Sequence, residues 1–575
     1  MTMTSNTSIQ IKQREHNAQA AYRLTQNKVH PLLAKLFSSR GIQNFDDIDL
    51  NLSALLPPLL LENAEQAAKM LAEVVEKKEE VIIIGDYDCD GATSTALAVR
   101  ALGMLGLKAR YLVPDRFKFG YGLTPAIVDL LLTMQPRPQW IITVDNGMAS
   151  DEGVEYAKQF GIQTIITDHH LPAEKTPCAF AIVNPNQKES RFPSKNLAGV
   201  GVVFYVMLAL RAQLRLRGFF KNKVEPNFKS LLDLVALGTV ADLVPLDHNN
   251  RILVAHGLRN IRQGALHIGL QKMFEVAGIS PFSASVEDLS FRIAPRLNAA
   301  GRIDHMQIGV ECLITDDIAH AAYLAQRLSD LNYARQSIER KMKLEAQNLI
   351  AQLPPMENQQ TAFCLLGENW HEGVVGLLAS HLVKKYHLPA FVFGKAQEEG
   401  LIKGSGRSVP GLHLRDTLDL IEKASPGILC RFGGHAMAAG LTLRLENFER
   451  FKTLFFQLVA QNGLLGPKII ETDGALSDDF FNIHVAKLLN NQVWGQGFPA
   501  PLFEGVFHVQ HQQVLKEKHL KMQVLAQNKL PLQAIFFNAP ILNVPAQVRL
   551  IYKLGLNSFR GVESLSLMVE HLECV

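Results

Sequence analysis

The chain has 575 residues, a formal net charge of +3, and side chains that are 47% apolar and 20% charged. That length exceeds what one hydrophobic core fills, so three or four domains are expected, and so small a net charge excludes a protein whose whole surface is built for a polyanion. The apolar runs stop short of the ~20 residues a bilayer span takes, and the opening MTMTSNTSIQIKQREHN lacks the apolar core and cleavage site of an export signal, so a soluble, cytoplasmic protein is expected.

Residues 1–50 are mixed in character and carry no readable motif. From 81 to 183, short aliphatic runs (VIIIG, ARYLVP, WIITVD, QTIITD, AFAIVN) alternate with amphipathic stretches such as GATSTALAVRALGML and TPAIVDLLLTM. That alternation predicts a parallel sheet wrapped by helices. The residues following each strand then gather on one edge, where open parallel sheets bind ligands. Acidic and histidine residues stand at those places: Asp86, Asp88 and Asp90 after VIIIG, Asp145 after IITV, and Asp168, His169 and His170 after TIIT.

Three carboxylates in five residues repel one another unless cations sit among them. A calcium loop would need further oxygen ligands and a closing bidentate acid nearby, and GATSTALAVRAL offers none. Adding Asp145, His169 and Asp242 gives a mixed carboxylate and imidazole set that suits Mn2+ or Mg2+. A carboxylate between two such ions can bridge them, and a pair of metals clamps both oxygens of a phosphoester displacement. Gly85 and Gly91 are expected to permit unusual backbone angles, and Ala92, Thr93 and Ser94 to open a helix whose amide end favours phosphate.

Residues 197–262 read mainly as helices, and they include a basic patch, RAQLRLRGFFKNKVEPNFK, that fits nucleic acid and a solvated helix end about equally. FRIAPRLNAAGRIDHM reads as a loop offering Arg296, Asn298 and Arg302. Arginine matches phosphate with two donors, and pairing with Asp304 or a carbonyl is the competing role. A long helix from about 316 to 351, ending at Pro354 and Pro355, suits a connector. A second α/β segment runs from about 360 to 461. Within it, KGSGRSVPG places Ser405, Arg407 and Ser408 among glycines that would free amides for an anion, and FGGHAMAAG adds His435. From about 466 onward, aliphatic alternation fits a small β-barrel, with Phe503, Phe507, Tyr552, Phe559, Lys516, Lys518, Arg549 and Arg560 available to a single strand or, for the aromatics, to the barrel interior. The six cysteines lie far apart with no CxxC pair and read as reduced thiols.

GDYDCDGATS, VDNG, TDHH and GTVADLVPLD resemble the signature motifs of the DHH family of phosphoesterases. Joined by PRLNAAGR, GSGRS and FGGHAMAAG, they are similar to the members of that family that degrade single-stranded DNA from the 5′ end. The resemblance runs from about residue 50 to the C-terminus. It implies an α/β DHH catalytic domain (51–315), a connecting helix (316–355), a smaller DHHA1 substrate-binding domain (356–462) and an OB-like nucleic-acid-binding barrel (463–575).

The resemblance also implies roles. Asp88, Asp90, Asp145, His169 and Asp242 would be the ligands of two ions, with Asp145 as the bridge. Asp86 would bind metal or orient a water, His170 would contact phosphate or act as general acid, and Asp168 would support the imidazoles. Ser405, Arg407, Ser408 and His435 would surround the 5′-terminal phosphate, and Arg296, Asn298 and Arg302 would hold the strand. Many relatives have a histidine four residues before Asp88, where this chain has Ile84; one ion would then lean on Asp86 and water. The implied activity is a 5′-to-3′ exonuclease of DNA repair and recombination that releases 5′-mononucleotides. It would act as a monomer, with a single-strand-binding protein and a helicase as partners. A phosphatase for short or cyclic nucleotides is the first alternative, which the barrel and connector argue against. A non-catalytic nucleic-acid-binding scaffold is the second, which the nearly intact ligand set argues against.

Overall fold

The computed structural model describes residues 9–115, 118–172, 175–352, 361–463, 466–526, 530–541, 543–559 and 562–575. Two compact units form: Asp330–Ile470 makes up most of one, and Lys12–Gly301, His305–Ser329 and Glu471–Val575 make up the other. The parallel-sheet region and the barrel share a unit by their contacts. The N-terminal residues supply much of the reason. After β1 (Ile9–Gln13) come α1 (Ala18–Gln26), capped by Asn17, and α2 (Pro31–Ser38), with proline at its first position. Phe37 of α2 lies with ring centroids 5.7 Å from Trp494 and 6.0 Å from Phe498, and the buried Arg40 binds both oxygens of Asp473 at 2.8 and 3.0 Å. The segment that carried no motif is therefore the packing partner of the chain just before the barrel.

Then follow α3 (Ala64–Lys77), β2 (Val81–Gly85), α4 (Cys89–Met104), β3 (Arg110–Leu112), α5 (Pro125–Leu132), β4 (Trp140–Val144), α6 (Asp151–Gln159), β5 (Gln163–Thr167) and β6 (Ala181–Val183). The strands form one parallel sheet in the order β3-β2-β4-β5-β6. β2 and β4 are buried at every position, which explains their unbroken aliphatic runs.

Helix α7 (Gly199–Leu216), at 18 residues, is by length and composition alone long and apolar enough to cross a membrane. It is mostly buried, packed against α3, α4 and α8 (Leu232–Ala241) as a core helix. The arginines of the basic patch at its end are paired: Arg215 and Arg211 with Glu225, and Arg217 with Glu73 and Glu76. Helices α9 (His248–Arg262), α10 (Ile268–Ala277), α11 (Val286–Asp288), α12 (Ala294–Ile303) and α13 (Gln307–Ile314) complete this region. The stretch expected as a loop is helical, a π-turn at Leu289–Ile293 leading into α12. Its leucine, arginine and alanines favour helix, and Pro295 sits in the first turn, where proline is tolerated.

Helix α14 (Ile318–Gln352) is continuous over 35 residues, as the connector reading anticipated; Pro354 and Pro355 lie outside the described residues. The second unit holds β7 (Phe363–Leu366), α15 (Val375–Tyr386), β8 (Ala390–Lys395), β9 (Leu401–Arg407), α16 (Leu414–Ala424), β10 (Arg431–Gly434), β11 (Ala438–Arg444) and α17 (Phe448–Gln461). Its sheet runs β10-β11-β9-β8-β7, parallel only between β7 and β8.

After β12 (Lys468–Thr472) and α18 (Ile483–Asn490), strands β13 (Phe503–Leu515), β14 (His519–Leu525), β15 (Pro531–Phe536), β16 (Gln547–Phe559) and β17 (Val562–Cys574) close a barrel in the order β13-β14-β15-β17-β16. Phe503, Phe507 and Tyr552 fill its interior, and Arg549 pairs with Glu504 and Glu573. Lys516 and Lys518 remain exposed. Arg560 and the side chain of Phe559 lie outside the described residues.

Candidate metal centre

The parallel register builds the site. Gly85 pairs with Val144, Val144 with Thr167, and Thr167 with Val183, so the next residues on these strands, Asp86, Asp145, Asp168 and Asn184, stand side by side at the ~4.8 Å spacing of strands. Asp145 adopts a left-handed backbone (φ 60°), a conformation that Asp tolerates better than most residues and that concentrates at functional sites. Asp88 caps α4 by accepting from the Gly91 amide at 3.0 Å. Asp90, one turn in, accepts from the Gly199 and Val200 amides at the start of α7 at 2.6 and 3.0 Å. Asp242 ends α8, where the helix dipole disfavours a carboxylate unless a cation is near.

Three groups of donors have their atoms within 4.8 Å of one another: Asp86, Asp88 and Asp145; Asp90, His169 and Asp242; and Asp145, His169 and His170. Asp145 belongs to the first and the third. His169 Nε2 lies 3.2 Å from Asp145 Oδ1 and 3.5 Å from Asp242 Oδ2. Both His169 Nε2 and Asp145 Oδ1 are buried without a hydrogen bond among the described residues. Buried polar atoms rarely go unsatisfied, and two of them converging with carboxylates is the arrangement a divalent cation completes.

The electrostatics agree. Burial, and then the charges of neighbouring carboxylates, push Asp145 and Asp242 well above the usual range. Burial and Asp88 raise Asp90 to about 7, against the pull of its two amides. Burial and the charge of His170 lower His169 to about 4, so the imidazole is neutral, as a metal ligand must be. Without cations the carboxylates keep protons; Mn2+ or Mg2+ fits the oxygen-rich donor set.

The surrounding contacts hold the donors in place. One Asp168 oxygen binds His170 Nδ1 at 2.8 Å and the amides of His169 and His170; the other takes the Met148 amide at 2.9 Å. Burial acts to lower His170, but the Asp168 bond and the charges of Asp168, Asp86 and Asp242 raise it to about 9. Asn184 and Asn186 donate to the His170 and His169 carbonyls at 2.8 and 2.6 Å. The sequence signal for this pair was VNPN, directly after a predicted strand. Tyr121 was also missed; its hydroxyl stands 3.4 Å from His170 Nδ1.

Two expectations about small residues are corrected. Neither Gly85 nor Gly91 has a positive φ. Each is glycine for lack of space, since an added Cβ would lie 2.1 Å from Thr95 Oγ1 or 2.5 Å from the Asp86 carbonyl oxygen. The opening amides of α4 are also spent, Cys89 on Asn298 Oδ1 at 2.9 Å and Gly91 on Asp88, so this helix end does not stand open to phosphate. Asn298 therefore pins the first acidic motif. Gly301 reinforces it, for a Cβ there would fall 1.8 Å from the Tyr87 carbonyl oxygen. Ile84 is fully buried in the sheet core, and Asp86 stands with Asp88 and Asp145 in its place.

The other strand-holding candidates divide. Arg296 is buried and bonds to the Arg292 carbonyl; Arg302 reaches the Gly373 carbonyl at 3.3 Å. GSGR is the end of β9, bonded on both sides, with Gly404 and Gly406 clearing the rings of Phe393 and Phe391. Ser408 is buried with its hydroxyl on the Leu412 carbonyl at 2.8 Å. Ser405 and Arg407 do meet, at 3.1 Å, beside Gly376 in the first turn of α15. Arg407 is half-buried, has no acidic partner among the described residues, and is lowered in pKa by burial. His435 is exposed in the β10–β11 turn, three residues before Ala438, which registers with Arg407. A guanidinium, a hydroxyl and a helix N-terminus together favour phosphate.

Comparison with known proteins gives a consistent answer. Residues 80–239 match the DHH family N-terminal domain, 358–461 the DHHA1 domain and 472–571 the RecJ OB domain. The single-stranded-DNA-specific exonuclease RecJ of Haemophilus influenzae is 45% identical, covering 95% of this chain and 96% of its own. Crystal structures of RecJ from Thermus thermophilus superpose at 27% identity with Mn2+ bound (TM-score 0.81, 98% of this chain, 79% of that one) and at 26% with Mg2+ bound (TM-score 0.75, 98% and 78%). A likeness sustained across nearly the whole length, through all three matched domains and over the acidic sheet edge, makes this chain a member of the RecJ family of DHH phosphoesterases.

Proposed function

We propose that the chain is an exonuclease that degrades single-stranded DNA from its 5′ end and releases 5′-mononucleotides with two Mn2+ or Mg2+ ions. The observation that carries this reading is Asp145: it groups with Asp86 and Asp88 and, through His169, with Asp90 and Asp242, while its own Oδ1 and His169 Nε2 are buried without hydrogen bonds. The relative named as a single-stranded-DNA-specific exonuclease, 45% identical, supports the substrate.

Two divalent ions, when bound, supply the positive charge that an in-line phosphoester displacement requires. Asp86, Asp88 and Asp145 would hold one, and Asp90, His169, Asp242 and Asp145 the other. His170, fixed through Nδ1 by Asp168, keeps its Nε2 for the scissile phosphate and returns a proton to the departing 3′ oxygen. Nearby cations lower the His170 pKa from about 9 toward neutrality, the range that suits a general acid. Arg407 and Ser405 receive the 5′-terminal phosphate, which sets polarity; Arg296, Asn298 and Arg302 act nearer the scaffold. The expected setting is cytoplasmic DNA repair and recombination, as a monomer with a helicase and a single-strand-binding protein as partners.

The test compares 5′-labelled single strands, duplexes and dinucleotides, with Mn2+ and with a chelator. Metal-dependent release of mononucleotides from single strands supports the proposal. Cleavage of dinucleotides alone, or cleavage unaffected by chelation, rejects it.

A further inference from the structure

Within the larger unit a pocket of about 380 Å3 opens between α2, Arg251 of α9 and the α18 segment. None of its lining residues belongs to the metal centre or to the candidate phosphate contacts. Its charged lining is one-sided: Arg251 and Lys28 contribute and no carboxylate does, while His30 and His484 add imidazoles, that of His30 lowered in pKa by burial and by His484. The rest is mainly apolar, with Leu33, Phe37, Leu488 and Phe498 among the walls.

Arg251 is 5% exposed, its guanidinium 4.3 Å above the Phe498 ring. Its Nη2 donates to the Asp47 carbonyl at 2.8 Å, and its Nε is buried without a partner among the described residues. The two nearby carboxylates are committed elsewhere. Asp47 takes the Gln43 and Asn44 amides at 2.9 Å, and Asp247 takes Ser194, Asn196 and the Asn250 amide. Burial lowers Arg251 to about 10, so it stays charged at neutral pH. The charges of Asp247 and Asp47 offset part of the cost of burying Arg251, but its Nε stays without a hydrogen-bond partner among the described residues, and an anion entering from the pocket would add a charge in direct contact with the guanidinium.

The walls narrow the choice of anion. Inorganic phosphate would leave the apolar surface wet. A nucleotide would bring several sugar and base polar atoms to a lining whose uncharged polar partners are few, Gln492 and the imidazoles, leaving some of them unsatisfied at a cost. We infer that this pocket binds a small carboxylic acid with an apolar body, the carboxylate facing Arg251 and His484 and the body lying on Phe37, Leu33 and Leu488.

The probe is N-acetyl-L-phenylalanine, titrated into the full-length protein by calorimetry and by saturation-transfer NMR. The expected Kd is about 1 mM, from roughly 0.3 kcal/mol per heavy atom. N-acetyl-L-phenylalaninamide, uncharged, should bind at least about tenfold more weakly, as should the acid to His484→Glu, which puts a carboxylate on the exposed rim. Arg251→Met should lose binding, with circular dichroism reporting its fold, and exonuclease activity of His484→Glu should be unchanged. Equal binding of acid and amide, tighter binding of 5′-dTMP than of the acid, or no binding of the acid at 10 mM (about tenfold above the expected Kd) would each overturn the assignment.

Discussion

Asp168 Oδ1 lies 2.8 Å from His170 Nδ1 and takes the His169 amide at 2.7 Å as well, so one buried oxygen fixes both histidines. Asp168→Asn puts an amide donor among groups that already donate. Activity should fall about 10- to 100-fold, the usual cost of an outer contact to a metal site. The His170 pKa should drop from about 9, as read by NMR titration. An unchanged titration would remove Asp168 from this role.

Asp145→Asn should separate catalysis from stability. Hydrolysis should fall more than about 10³-fold, because residues acting as a unit are lost together, while single-strand binding persists. In chelator the variant should melt higher than the parent, since folding the parent must return a proton to this buried carboxylate and folding the variant need not. Residual turnover close to the parent's would end the bridging role.

The metal-free protein should lose stability as pH rises from about 4 to 7. Asp90, raised from 3.8 to about 7, and Asp145 and Asp242, also raised well above 3.8, hold protons that the unfolded chain has released. The unfolded state thus binds fewer protons across that window, and the slope of stability with pH is negative. His169, lowered to about 4, opposes this between 4 and 6.5, and His170 reinforces it from 6.5 to 9. Melting temperatures in chelator and in Mn2+ from pH 5 to 8 check this: the curve in chelator should descend, and Mn2+ should flatten it.

Arg407→Ala should erase about 10- to 100-fold of preference for a 5′-phosphorylated over a 5′-hydroxyl strand, the worth of a charge-assisted contact, with the change in KM rather than kcat. An intact preference would move the phosphate elsewhere.

Gly199→Ala would place a Cβ 2.5 Å from Asp145 Oδ1. The carboxylate must then move, and Mn2+ affinity should fall about 10- to 100-fold while the fold persists. Calorimetric titration with Mn2+ measures it.

The sheet edge was legible because periodicity and strand-end position carry it: Asp86, Asp145 and Asp168 each follow a buried aliphatic run. What brings Gly199 and Val200 to Asp90, or Asn298 to Cys89, is contact between residues roughly 110 and 209 positions apart, which no local pattern records. The same limit explains why the KGSGRS glycines read as freeing amides for an anion. Their reason for being glycine is the Phe391 and Phe393 rings of a neighbouring strand. Residues 1–50 hid two helices whose local cues, Asn17 as cap and Pro31 at a first position, were present but tied to no chemistry.

The parallel pairing of β15 with β17 closes the barrel, yet β13 meets β16 only over Phe503–His508, so the ladder of Lys553–Phe559 is to β17 alone. An open margin invites a foreign strand to join by main-chain ladders and seeds aggregation. Around the closed ring a docking partner must therefore recognise side chains, whereas along Lys553–Phe559 it also meets main chain, and substitutions on the ring change preference without exposing a further template for fibrils.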